Sequence, residues 1–236
     1  MQSSQMHYLP LAPAFFAMLV AILVVVVVLI QIRVLRYAYL SLGISPGAAM
    51  LLLTASLIGS YINIPVAHLP GRIVETGQVV SFFGMRYVVP VVEQWPGTVI
   101  AVNVGGAVIP GLLSLYLLAK HDLWVRGAIA TAIIAAIVHA LATPVPGVGI
   151  AVPIFVPPIA TAIVALVLAR HHAAPLAYVS GSLGTLIGAD LLNLGAVQGL
   201  GAPVASIGGA GTFDGIFLIG IVAVLLASLW QPWRKA

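Results

Sequence analysis

Cysteine is absent from this chain of 236 residues, and charge is scarce: nine lysines and arginines, five carboxylates, 6% of the sequence in all. The missing thiols exclude disulfides, a cysteine nucleophile and thiolate metal sites. The missing charge excludes an ordinary soluble domain, in which about a quarter of residues are ionic. What is there instead is 62% apolar residues, gathered in long uninterrupted runs. A transmembrane barrel would show alternating segments of about 10 residues, so these runs read as helices. The fold class expected is an all-α polytopic membrane protein, one transmembrane domain over residues 1–236. The formal charge of +4 is no nucleic-acid footprint, because the basic residues are scattered at segment ends.

About 20 apolar residues cross the hydrocarbon core. On that measure about seven transmembrane helices are expected, near 13–32, 46–64, 97–119, 123–142, 150–170, 175–198 and 213–231. The first run lacks a basic leading stretch and a small-residue cleavage site, and reads as a retained helix. Arg33, Arg36, Lys120, Arg126, Arg170, Arg234 and Lys235 would then share one side. The positive-inside rule makes that side cytoplasmic, with the N-terminus outside. A prokaryotic cytoplasmic membrane is the location expected. The loop 65–96 is β-branched and aromatic, broken by Gly77 and Gly84, and reads as a short hairpin on the outer face. Two charge-free loops are rich in glycine and proline, around Pro144–Gly149 and Gly199–Gly211.

An ionisable group inside an apolar segment costs roughly 3 kcal/mol on insertion scales and is a functional candidate by default. Asp190 lies inside such a segment, and Asp214 follows a glycine-rich loop at the start of the next. Two carboxylates held close in a poor dielectric share one proton, so one activates water while its partner polarises a carbonyl. The plainer readings are helix capping for Asp214 and an interhelical hydrogen bond for Asp190. Gly181, Gly184, Gly188 and Gly195 mark a close-packing face around Asp190, and Asn193 lies one turn on. Asn103-Val-Gly-Gly-Ala-Val-Ile-Pro110 is an interrupted helix, since Pro110 deletes a backbone bond and the glycines weaken the turn. His139 is the histidine deepest in an expected span. With the aspartates and His68 it forms only a weak mixed metal constellation without local ligand spacing, so neither metal nor cofactor is expected.

Residues Asn103–Pro110, Pro144–Ile150, Gly188–Asn193 and Ser206–Phe217 resemble an uncharacterised family of small prokaryotic multi-pass membrane proteins, which implies no activity. The aspartate pair also loosely resembles the intramembrane aspartyl proteases of the presenilin and prepilin-peptidase type. In those, the second aspartate stands in Gly-x-Gly-Asp. Here Gly211-Thr212-Phe213-Asp214 keeps the first glycine and has Phe213 in place of the second. The resemblance implies Asp190 and Asp214 as catalytic residues.

The leading expectation is therefore an intramembrane hydrolase of the aspartyl-protease kind. Asn103, His139, Asn193, Gly211 and Thr212 would shape its substrate cavity, and the bilayer and a transmembrane or extended peptide would be its partners. Homo-oligomerisation is left open. The rival is a transporter or channel for protons, cations or a small solute, with the same carboxylates as ligands. A non-catalytic assembly subunit is the third reading.

Overall fold

β-Branched stretches divide two of the expected helical runs, which pass into strands. The computed structural model describes residues 21, 24, 28, 31–82, 85–95, 97–145, 149–197, 203–209 and 215–229, with 72–95, 197 and 215 as backbone alone. Helix α1 (Gln31–Ser41) meets α2 (Pro46–Gly59) at a bend of 117°. Ser45 caps α2 and Pro46 fills its first turn, where a missing N–H costs nothing. The strands β1 (Asn63–Leu69), β2 (Arg72–Phe82) and β3 (Met85–Trp95) follow, then β4 (Thr98–Asn103). A π-helical turn, Val104–Val108, leads into α3 (Ile109–His121), with α4 (Trp124–Leu141) next. Two short strands, β5 (Thr143–Val145) and β6 (Gly149–Ala151), pair antiparallel. Then come α5 (Val156–Leu168) and α6 (Ala173–Thr185), which continues through a π turn (Leu186–Asp190) and a 3-10 turn (Leu191–Asn193) into α7 (Leu194–Val197). Strand β7 (Val204–Ile207) and α8 (Gly215–Leu229) complete the described chain.

The expectation of an all-α bundle with about seven transmembrane helices is overturned. Among the described residues two helices are long and apolar enough to cross a membrane, Val104–His121 and Trp124–Leu141, and the bent α1–α2 pair would make a third. These spans are compatible with a membrane protein. The reasons for the shortfall are local. The run 97–119 divides because Thr98-Val-Ile-Ala-Val-Asn103 is β-favouring and becomes a strand, leaving the helix to begin after the π turn. The run 46–64 ends as helix at Gly59, and Asn63-Ile-Pro-Val enters β1. Helix α5 has 13 residues, about 20 Å at 1.5 Å each, which is short of a hydrocarbon core of roughly 30 Å.

Sequence order misleads about the sheet as well. Strand β4 lies between β1 and β7, antiparallel to the first and parallel to the second. The expected hairpin is present in the backbone as β2–β3, paired from Arg72↔Trp95 to Phe82↔Met85, and it forms a separate two-stranded sheet.

The helical core is centred on α6. Twelve of its 13 residues are buried, because α3, α4, α5 and α8 all pack on it. A helix enclosed on every side has no polar face to offer, which accounts for its alanines and glycines. Gly181 lets the backbone of α8 approach at Gly220, and Gly184 admits Ile134 of α4. The close-packing face expected from the glycine spacing is thus real for Gly181, Gly184 and Gly188. Gly195 meets no neighbour within 4 Å among the described residues.

Candidate functional site around Asp190

Asp190 ends the π turn that extends α6. Such a turn inserts one residue into the helix and re-aims the side chains around it. Gly188 sits so close to α4 that a Cβ there would strike the Ala135 carbonyl oxygen. The wide turn leaves carbonyls in need of donors, and Asn193 answers them: its Nδ2 donates to Gly188 O at 2.9 Å and Ala189 O at 3.0 Å. Asn193 therefore serves its own helix.

The Asp190 carboxylate reaches across to the glycine loop after β7, where its Oδ2 accepts the Gly208 N–H at 2.7 Å. Gly208 and Gly209 have φ of 91° and 82°, a left-handed pair that glycine adopts without steric cost. A second reason for glycine is contact. A Cβ on Gly208 would meet Ala107, and a Cβ on Gly106 would meet the Gly208 carbonyl. The loop is therefore seated backbone to backbone on the π turn of residues 104–108.

Asn103 locks that turn from the other side. It is 1% exposed, and its amide is fully used. Nδ2 donates to Ser60 O at 2.8 Å and Asn63 Oδ1 at 3.1 Å, while Oδ1 accepts the Gly106 N–H at 2.8 Å. Ser206 Oγ lies 2.6 Å from both Asn63 Oδ1 and Gly209 O, so its single proton serves one of them at a time. Ser56 Oγ donates to Gly105 O at 2.7 Å. The ends of α2, β4 and β7 and the helix bearing Asp190 are thus joined through short polar bonds and glycine contacts.

Beside Asp190 is a cavity of about 220 Å³, lined by Ile150, Val152, Thr185, Ala189, Ile216 and Ile219 among others. Apart from Asp190, Thr185 supplies the one other side chain with a polar group in the described lining. Its Oγ1 is buried with no hydrogen-bond partner among the described residues, although the residue is only 2% exposed. A buried hydroxyl without a partner costs about 1–3 kcal/mol, so the cavity wall carries unused hydrogen-bonding capacity next to a carboxylate.

The expected site residues separate into three groups. Asn103, Asn193 and Asp190 come into one polar framework, and Asp190 is the one that lines the cavity. His139 is exposed and does not line it, because α4 turns Ile134, Ala135 and Val138 inward. Gly211, Thr212 and Asp214 lie outside the described residues. Among the described residues no group of three histidine or acidic side chains could hold a metal. Thr185, Ser60 and Ser206 were not expected. Thr185 had no sequence signal, being one hydroxyl in a helix of small residues. Ser206 follows from the register that pairs β7 with β4 at Ala101↔Ser206.

A family model described as "Protein of unknown function (DUF1614)" matches residues 57–226, which include every residue of this framework except Ser56. No curated protein and no solved structure matches the chain.

Proposed function

We propose a function from geometry and chemistry alone, because the chain belongs to the DUF1614 family, whose function is unknown. In this reading it is an integral protein of a prokaryotic cytoplasmic membrane and an intramembrane hydrolase, an aspartyl protease in kind. The observation that carries the reading is the position of Asp190 on a cavity wall shared with the first turn of α8. Ile216, at the start of α8, lines the same cavity.

The Gly208 N–H holds the Asp190 carboxylate in place, and in this reading Asp190 is the base of a pair sharing one proton. Asp190 would take a proton from water as the oxygen attacks a peptide carbonyl. Asp214 would give its proton to the carbonyl oxygen. As the diol collapses, Asp190 would pass its proton to the leaving amine and a diol hydroxyl would return one to Asp214, so that the C–N bond breaks and the pair is restored. A cavity of 220 Å³ admits water and a residue or two, whereas a helix about 10 Å across does not fit. The substrate would have to be unwound at the scissile bond. Asn103, Asn193, Gly208 and Ser206 position the reacting carboxylate without touching substrate.

A second reading, cation or solute transport, is favoured by the wall itself. The described lining is aliphatic except for Asp190 and Thr185, and a carboxylate at an apolar wall is a candidate ligand for a cation.

The test uses the purified full chain in bilayers against a library of transmembrane reporter helices between pH 4 and 8. Cleavage by the wild type and none by folded Asp190→Asn or Asp214→Asn supports the hydrolase. No cleavage, or equal cleavage by the variants, rejects it. Cation flux in the same vesicles, lost in Asp190→Asn, would then support the second reading.

A further inference from the structure

The opposite end of α3 carries a separate feature. Helices α2 and α3 run antiparallel, since Ser56 meets Gly105 at one end and Gly43 meets Lys120 at the other. Between them is an open groove of about 590 Å³ lined by Ile44, Leu51, Leu52, Ile109, Leu112 and Tyr116 among others. Leu51 is 69% exposed and Leu112 62%. The groove follows α3 from Ile109 to Tyr116, about 10 Å at 1.5 Å per residue, and Lys120 lies one turn further on.

That end is basic. Lys120 Nζ donates to Gly43 O at 2.6 Å and stands 5.4 Å from the Tyr116 ring centroid. One donation leaves two of its three N–H groups for a ligand. The rings of His121 and His172 lie 5.1 Å apart, which brings the start of α6, and Arg170 before it, to the same end as Lys120. Arg126 is in the first turns of α4. The acidic residue at this end is Asp122, the left-handed cap of α3.

We propose that this groove is a specific site for a membrane phospholipid with a net negative headgroup. One acyl chain would lie between Leu51, Leu52 and Leu112, and the phosphate would meet Lys120. An apolar trough about 10 Å long, with Lys120 one turn beyond its Tyr116 end and flanking a candidate span, suits part of one acyl chain and an anionic headgroup. The inference rests on the membrane location and is independent of Asp190.

The experiment uses the full chain in detergent, read by native mass spectrometry and thermal unfolding, with dioleoylphosphatidylglycerol against dioleoylphosphatidylcholine. The wild type should retain the anionic lipid roughly fivefold better, the weight of one lysine near a charged headgroup. Lys120→Gln keeps a donor for Gly43 O and removes the charge, so it should hold both lipids equally. Lys120→Arg should restore the preference, and Leu112→Trp, which fills the trough, should weaken both lipids. Equal retention of the two lipids by the wild type, or an undiminished preference in Lys120→Gln, overturns the proposal. An Asp190→Asn chain should show the wild-type preference, which separates this result from the fate of the hydrolase reading.

Discussion

Asp190 accepts the backbone N–H of Gly208 at 2.7 Å, across 18 positions of sequence. This bond ties the π turn of one helix to the loop before the next, so the residue most suggestive of chemistry is also a structural anchor.

The two roles separate by substitution. Asp190→Ala removes the acceptor and should cost about 1.5–3 kcal/mol, the range for a bond to a charged group. Asp190→Asn keeps an oxygen for Gly208 and should cost less while abolishing any activity that needs the charge. Thermal unfolding in detergent measures the first effect. An alanine variant as stable as the wild type would show that the bond contributes nothing to the fold.

The glycine contacts predict a graded series. Gly208→Ala adds a side chain at φ 91° and pushes it against Ala107, and Gly106→Ala drives one into the Gly208 carbonyl. Each should destabilise by more than about 2 kcal/mol, since backbone cannot yield as a flexible side chain can. Gly111, in α3, has nothing within 4 Å of its Cβ position among the described residues. Gly111→Ala should leave stability unchanged or raise it by up to about 1 kcal/mol through helix propensity.

Asn103→Asp exchanges a donor for an acceptor that faces Ser60 O and Asn63 Oδ1. Two acceptors then oppose a buried carboxylate, which should destabilise the protein by about 3 kcal/mol or more at neutral pH. Protonation returns one donor, so this variant should gain stability on acidification relative to wild type. Unfolding temperatures at pH 4 and 7 test the sign. A variant indifferent to pH would mean that the Asn103 framework opens without cost.

Thr185→Val removes the buried hydroxyl that has no partner among the described residues, at nearly constant shape. Stability should hold or rise by about 1–3 kcal/mol. Any ligand that uses the hydroxyl should bind more weakly. Lower stability together with unchanged function would contradict the assignment of that hydroxyl to the cavity.

Several polar anchors were legible in the sequence, and much of the architecture was not. Asp190 stood out because a carboxylate in an apolar run needs a reason. The interruption at Asn103–Pro110 was legible because proline and glycine act within one helical turn. The close approach at Gly181, Gly184 and Gly188 followed from spacing. The helix count did not survive, because hydropathy reads Thr98–Asn103 and Leu112–Leu118 alike as apolar, while one forms a strand and the other a helix. Periodicity does not separate a short buried strand from a helix.

The sequence by itself determined composition-level facts: no thiol chemistry, few charges, apolar segments fit for a membrane, and a small set of polar groups that must find partners. Those follow from residue type and local spacing. Only the tertiary structure decided that Asn103 spends its whole amide on Ser60, Asn63 and Gly106, that Ser206 reaches Asn63 across a β4–β7 pairing, and that His139 faces away from the cavity. These depend on strand order and helix rotation. Both are set by how distant segments bury their faces together, a balance that no local stretch of residues contains.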